Sequence, residues 1–522
     1  MNFSENSSLK KLYDLLKTFH LSEGLYVIGS VNAALKYGSK VSTNKDIPKW
    51  IMKWLNLRGR NERERQSIIL TMTRMARFLL LSTANDHKGV FLDLNNKKFI
   101  QAANIIGDID FIENDPMISE TMDKFSLYFS RTFQIQLPLQ ASKKHLLGRG
   151  YLLYIKTLKE TPTDYPFEEK FYEYFGLTLL EFMSTGFAMW IMSNGTLDYN
   201  LNIEVNNLKS LITTETQRIF LSLSSGTAKQ YREMIRGKDW KTPDQLKDRF
   251  ALDPFTSIPA IKVERSAKLG LDSYVVPQPK YLMDRASSGI FYLLADKERE
   301  LALLNGKIGQ NSFRNAFGII FRKYVGKHLS LKGQHKFIDL DDDIKYNGGK
   351  IPDFAIIHNN VCLLFEVKTT LLNIDARTYF EIEKLENEVR NGNIRKAIRQ
   401  VKAFEKVILS YQTGDPRFEA IDKVINIIVG YDDIYSLNST LLPTLDRVES
   451  EVQYNLQFAS ITDIESISSA IDAGSNIVDL LYNKAKHDQK RFWSIATLFY
   501  DIDSPDNSIL DNAYDEFVSK MG

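Results

Sequence analysis

Apolar positions in the first half of the chain recur at helical intervals. Leu9, Leu12, Leu15, Leu16 and Phe19 share one face, and Ile69, Met72, Met75, Phe78 and Leu79 line one side of residues 62–82. Both segments predict amphipathic helices. Long helices are also expected over 168–192 and 207–235, whereas 90–112 is less regular and compatible with short strands. The most apolar run, 175–192, is at the short limit for a membrane span and contains Glu181. It therefore reads as a buried core helix. Pro254, Pro259, Pro277 and Pro279 crowd the stretch that follows. Proline fixes its own backbone angle and restricts its predecessor, so this stretch is expected to be extended and loop-like. A domain boundary is expected just after it, near residue 285.

Beyond that point the pattern changes. A helical stretch over 285–329, broken around 306–311, leads into strand-like runs at 335–340, 351–358 and 361–369. Gly348-Gly349 supplies a turn before the second run. Asn359-Asn360 supplies a hairpin turn before the third, since Asn tolerates positive φ. A helix over 394–411, an apolar strand at 424–429 and a short strand at 455–461 follow, with Asp463 as the cap of a further helix. Helix, three strands, helix, strand is an α/β arrangement with a mixed sheet.

The chain has 522 residues, enough for about three domains. Hydrophobic residues make up 43% and charged residues 25%, an ordinary balance for a globular protein. The formal net charge of +2 means that any nucleic-acid surface must be local. The lone cysteine, Cys362, lies in an apolar run. It excludes a disulfide framework and a Cys-rich zinc site, and it fits a reducing cytoplasm. The start, MNFSENSSLKKLYDLL, lacks the basic-then-apolar pattern of a secretory signal. A cytoplasmic location with no membrane partner is expected. The seven histidines show no metal-ligand spacing.

The chemistry concentrates at Pro352-Asp353, followed after twelve residues by Glu366-Val367-Lys368. Side chains alternate along a strand, so Glu366 and Lys368 share a face and Val367 points to the other. Asp353, on the neighbouring strand, is expected near the same spot. Two carboxylates supply hard oxygens for Mg²⁺ or Mn²⁺, and an ammonium stabilises developing negative charge. A Glu and a Lys directly after the run VCLLF are costly unless they pair, reach solvent or bind something. An edge hairpin with solvated Glu366 and Lys368 is the competing explanation.

The segment KIPDFAIIHNNVCLLFEVKTT resembles the core hairpin of the PD-(D/E)XK nuclease superfamily, over about residues 300–470. The resemblance implies a restriction-endonuclease-like C-terminal domain preceded by a mostly α-helical region. It implies Asp353, Glu366 and the backbone of Val367 as ligands of Mg²⁺ (or Mn²⁺), and Lys368 as the catalytic lysine. Many such nucleases carry a pattern like G-x-x-F-E-x-Y-V in the first core helix. Gly318, Phe321, Tyr324 and Val325 fit it, but Arg322 stands where Glu would be, which removes one metal ligand and puts two-metal chemistry in doubt. Glu298 or Glu300 would substitute only in another helix register. Arg322 is then either an ordinary exposed arginine or a phosphate contact. Gln400, four residues before Phe404, is similar to the QxxxY motif of RecB-like nucleases. There a glutamine orients the active site or touches DNA.

Arg390, Arg395, Lys396, Arg399, Lys402 and Lys406 stand against the single acid Glu405. They form a stripe suited to phosphates, with a solvated face as the alternative. Asp339, Asp341, Asp342 and Asp343 lack the spacing of a calcium loop and read as a solvated turn. Arg58, Arg60, Arg63 and Arg65, mixed with Glu62 and Glu64, read as a salt-bridged helix start.

The expected layout is a helical region over 1–285 of one or two subdomains, a nuclease domain over 286–490 and a helical extension over 491–522. That layout, with the DPFTSIP and VVPQPKYL segments before the nuclease helix, resembles bacterial proteins of phage-defence systems. The expected activity is endonucleolytic cleavage of DNA. The alternatives are an RNase that disables translation, or a catalytically silent nuclease fold that binds nucleic acid or a protein. A phage or host protein acting on the helical half would be the trigger, and a homodimer would suit cleavage of both strands.

Overall fold

The computed structural model describes residues 8–37, 46–82, 89–108, 139, 142–197, 211–263, 274–306, 312–344, 350–373, 376, 382–432, 437–499 and 507–521. Gly348-Gly349 therefore lies outside the described residues.

The first expected helices form, at Ser8–Leu16 and Glu62–Leu81. Asn61 caps the second by accepting from the Glu64 amide at 2.9 Å, while Glu64 accepts from the Arg60 amide at 2.7 Å. Such a cap is worth about 1 kcal/mol. Arg60, Arg63 and Arg65 mark this helix start, as the charge pattern indicates, whereas Arg58 ends the preceding helix Lys49–Arg58. Residues 90–112 hold the helix Lys97–Asp108. Apart from an isolated bridge between Phe19 and Val90, no strand forms there among the described residues.

Two expected long helices are each broken. Residues 168–192 split into Phe167–Phe175 and Leu179–Met192, bent by 60°. Gly176 adopts φ 74° at the break, a left-handed conformation that glycine takes at no steric cost. Thr178 and Glu181 then form a reciprocal capping box that starts the second helix. Residues 211–236 split into Thr214–Ser224 and Ala228–Arg236, each with its own capping box, at Thr213 and Thr227. Leu179–Met192 is buried along most of its length, as expected. No single described helix is long and apolar enough to cross a membrane.

The helical half also contains a small sheet that periodicity did not reveal. It comprises β1 (Thr196–Leu197), β2 (Ser225–Gly226), β3 (Ala260–Lys262) and β4 (Tyr274–Val275), in the order β1-β4-β3-β2. Strands this short carry no readable alternation. Two of them form in the proline-rich stretch expected to be extended.

The second sheet orders β5 (Lys336–Asp339), β6 (Phe354–His358), β7 (Val361–Lys368), β8 (Lys423–Gly430) and β9 (Leu456–Ala459) in sequence. β5, β6 and β7 are antiparallel, and β7, β8 and β9 are parallel. The β6–β7 turn is Asn359-Asn360, with Asn359 at φ 52°. The parallel pairs need crossovers, supplied by the helices Ile382–Asn391 and Asn393–Leu409 before β8 and Leu437–Glu449 before β9. After β9, Ser460 is the cap and Asp463 its capping-box partner three residues on, so Asp463 is not itself the cap.

Alternation decides what each face of this sheet meets. Phe354, Ile356, Leu363, Phe365, Ile425 and Ile427 join a core with the helices Ser312–Leu329, Ile461–Asp472 and Ile477–Lys486. Ala355, Cys362 and Leu364 face the other way, against Phe404 and Ile408 of Asn393–Leu409. Each fully buried side chain of this kind stabilises by about 1.5–3 kcal/mol. The apolar core does not divide at residue 285. One cluster runs from Leu146 through Leu282 to Met521, and a separate one joins Leu9–Ile106 to Tyr231–Tyr281. The C-terminal helix Ser508–Met521 is part of the larger cluster through Leu510, Phe517 and Met521.

Candidate active site

Asp353 and Glu366 meet because of register. Phe354 pairs with Phe365 at the last rung of the β6–β7 ladder, which sets Asp353 opposite Glu366 on the face turned toward Asn393–Leu409. Antiparallel cross-strand neighbours lie close enough to interact directly. The Asp353 carboxylate extends the ladder, with Oδ2 accepting from the Val367 amide at 2.7 Å. That commits the Val367 N–H to Asp353.

Glu366 is almost fully buried, at 1% exposure. Its Oε1 pairs with Lys368 Nζ, and its Oε2 accepts from Gln400 Nε2 at 2.8 Å. Gln400 is itself anchored by donating to the Ile351 carbonyl at 2.6 Å. Gln400 thus tethers the Glu366 carboxylate to the backbone at Ile351. Lys368 is one-third exposed, which keeps the ammonium at the surface of the site.

Burial pushes the Glu366 carboxyl up to about 7; neighbouring Asp353 adds to this and Lys368 opposes it. Burial also raises Asp353, against the Val367 amide, Arg322 and Lys368. Two crowded, desolvated carboxyls of raised affinity for protons are a pair that a cation would relieve. The donor chemistry fits Mg²⁺, which binds through one or two carboxylates, keeps several waters and takes further oxygens from phosphate. Among the described residues no three His, Cys, Asp or Glu side chains close into a metal-ligand group. Asp353 and Glu366 are the two carboxylates that meet at this spot.

Arg322 is neither an ordinary exposed arginine nor turned outward. Its Nε donates to Asp353 Oδ1 at 2.8 Å. The same guanidinium pairs with Asp339 and lies 3.2 Å from Asp341 Oδ2. It also stacks over Phe354, 4.7 Å from the ring centre. Asp339 and Asp341, expected in a solvated turn, are partners of the site. Asp339 sits on β5 beside Phe354, and only the sheet register reveals that neighbourhood. Glu298, named as a substitute ligand, turns its Oε1 to the hydroxyls of Tyr165 and Tyr174, both at 2.7 Å.

The basic stripe divides. Arg395 pairs with Glu449, and Lys402 donates to Gln453 at 2.6 Å and lies 3.5 Å from Glu449. Both brace the Leu437–Glu449 helix, and Glu449 offsets part of the charge they were expected to offer a nucleic acid. Arg390 lies 3.9 Å from Glu386. Lys396, Arg399 and Lys406 are exposed. Lys396 is one turn from Gln400, whereas Arg399 and Lys406 lie further round the exposed side of the same helix. Searches against protein-family models and against curated proteins return no match for this chain, and the functional reading rests on this geometry.

Proposed function

We propose that the chain is a metal-dependent nuclease of the PD-(D/E)XK type that hydrolyses phosphodiester bonds in DNA. The observation that carries this reading is the convergence of Asp353, Glu366 and Lys368 at the open end of the β6–β7 ladder, with Gln400 buttressing Glu366. The element order around it, helix, three antiparallel strands, helix and parallel strand, supports a restriction-endonuclease-like core.

In this reading Asp353 and Glu366 hold the ion, with the Val367 carbonyl as a further donor. A bound Mg²⁺ supplies neutralisation of phosphate charge and a water of lowered pKa. Gln400 keeps the Glu366 carboxylate aimed. The Lys368 ammonium stabilises negative charge as it develops on the phosphate. Lys396, Arg399 and Lys406 hold the backbone of the nucleic acid against the site.

The direct test is incubation of the purified chain with linear, supercoiled and single-stranded DNA and with total RNA, in Mg²⁺, Mn²⁺ or EDTA. DNA cleavage that requires the metal is the expected result. Cleavage confined to RNA would move the substrate to RNA, and no cleavage in any metal would defeat the reading.

The surface component has its own test. Charge removal at Lys396, Arg399 and Lys406 is expected to weaken duplex binding and to flatten its dependence on salt by roughly 0.9 in log–log slope per lost phosphate contact. Arg395→Ala and Lys402→Ala should leave the slope unchanged, because Glu449 already holds those cations. The reverse pattern in a salt titration would reject this division of the stripe.

A further inference from the structure

The Asp353 side of the site holds more acid than two metal-ligating carboxylates require. Asp339, Asp341 and Asp353 all converge on the guanidinium of Arg322. That guanidinium is held on its flat side by Phe354 as well, and the side chain is only 19% exposed. A lysine could not do this. Its ammonium is a compact point charge, whereas the planar guanidinium reaches several oxygens at fixed angles. Glu366 and Lys368 make a second, separate pair. Taken together, four carboxylates face two side-chain cations, which leaves two formal negative charges. That remainder matches a single divalent ion.

We propose that Arg322 is the resident cation of the Asp339–Asp341–Asp353 cluster and limits the site to one divalent ion, seated between Asp353 and Glu366. This rests on the nuclease reading and deepens it. Asp339 and Asp341 become positioning residues that act through Arg322. Without the guanidinium, three carboxylates would lose their shared counter-charge, and the like-charge repulsion would raise the affinity of that side for a cation. Arg322 thus replaces a dissociable ion with a covalently attached one. The cation on that side is present at any metal concentration, and the activity should rise with metal as a single-site binding curve.

The test is the number of Mn²⁺ ions bound by the full chain without nucleic acid, read by titration calorimetry and by the electron paramagnetic resonance of free Mn²⁺. Wild type is expected to bind one ion, and Arg322→Gln and Arg322→Glu each to bind a second. Arg322→Gln is close to neutral in size and adds no acid, so it guards against misfolding of the Glu variant, and circular dichroism checks both. Two ions on wild type would overturn the inference and leave the nuclease reading intact. One ion on wild type and still one on folded Arg322→Gln would also overturn it, since the guanidinium would then exclude nothing. No ion on wild type, together with no metal-dependent cleavage, would remove both.

Discussion

Lys368→Met is expected to lower metal-dependent cleavage by about 10²–10³-fold while leaving the fold unchanged. Methionine keeps most of the apolar stem and removes only the charge. Lys368 is the only cation paired with Glu366 among the described residues, and it lies where β7 reaches the surface. An ammonium has three donors, so pairing with Glu366 still leaves it able to meet phosphate oxygen. The substitution also removes the group that opposes the burial-driven rise of Glu366, so the carboxylate is further disfavoured in its metal-binding form. Single-turnover cleavage with saturating Mg²⁺ separates the chemical step from binding. A variant that cuts within about threefold of wild type would take Lys368 out of the mechanism.

Glu465→Ala is expected to cost about 3–5 kcal/mol of stability, the range for breaking a buried ion pair and leaving its partner charged. Glu465 has no exposed side-chain surface. It accepts from Arg149 Nε and Nη2, each at 2.6 Å, and pairs with His145 and Tyr324. One carboxylate thereby ties together the helices Lys143–Tyr151, Ser312–Leu329 and Ile461–Asp472. Burial alone would raise its carboxyl, but Arg149 and His145 more than reverse that and hold it well below the usual carboxylate range. Its folded-state pKa thus lies under the unfolded value of about 4.3. The stabilisation is complete above that value and is lost as pH falls through it toward the folded one. Chemical denaturation at neutral pH should show the full loss in Glu465→Ala, and the gap to wild type should shrink below about pH 4. Equal midpoints at neutral pH would show that the cluster contributes nothing net.

Much of the framework could be read directly along the chain. Amphipathic periodicity marked Ser8–Leu16 and Glu62–Leu81, alternation marked the β6–β7 hairpin, and Asn359-Asn360 marked its turn. The breaks at Gly176 and at Ser225 were present as local signals, Thr178–Glu181 and Thr227–Gln230. At Gly176 the signal is masked by a long apolar run, because a hydrophobic pattern continues across a cap that backbone hydrogen bonding does not cross. Strands of two or three residues, as in β1 to β4, left no pattern at all.

The candidate site divides in the same way. Asp353, Glu366 and Lys368 are close in sequence and lie on, or one residue before, strands whose period is two, so their convergence follows from the sequence. The partners of Arg322 do not. Arg322, Asp339 and Asp341 belong to a helix, a strand end and a short helix, and only packing of the helix across the sheet decides that one guanidinium meets three carboxylates. The same is true of Arg395 and Lys402, whose charges meet Glu449 on a helix that follows the next strand. Residue type and spacing marked Asp353, Glu366 and Lys368 as the candidate group. Tertiary structure decided which of its charges are neutralised inside the molecule and which remain to meet a ligand, because ion pairing depends on distance in space and not along the chain.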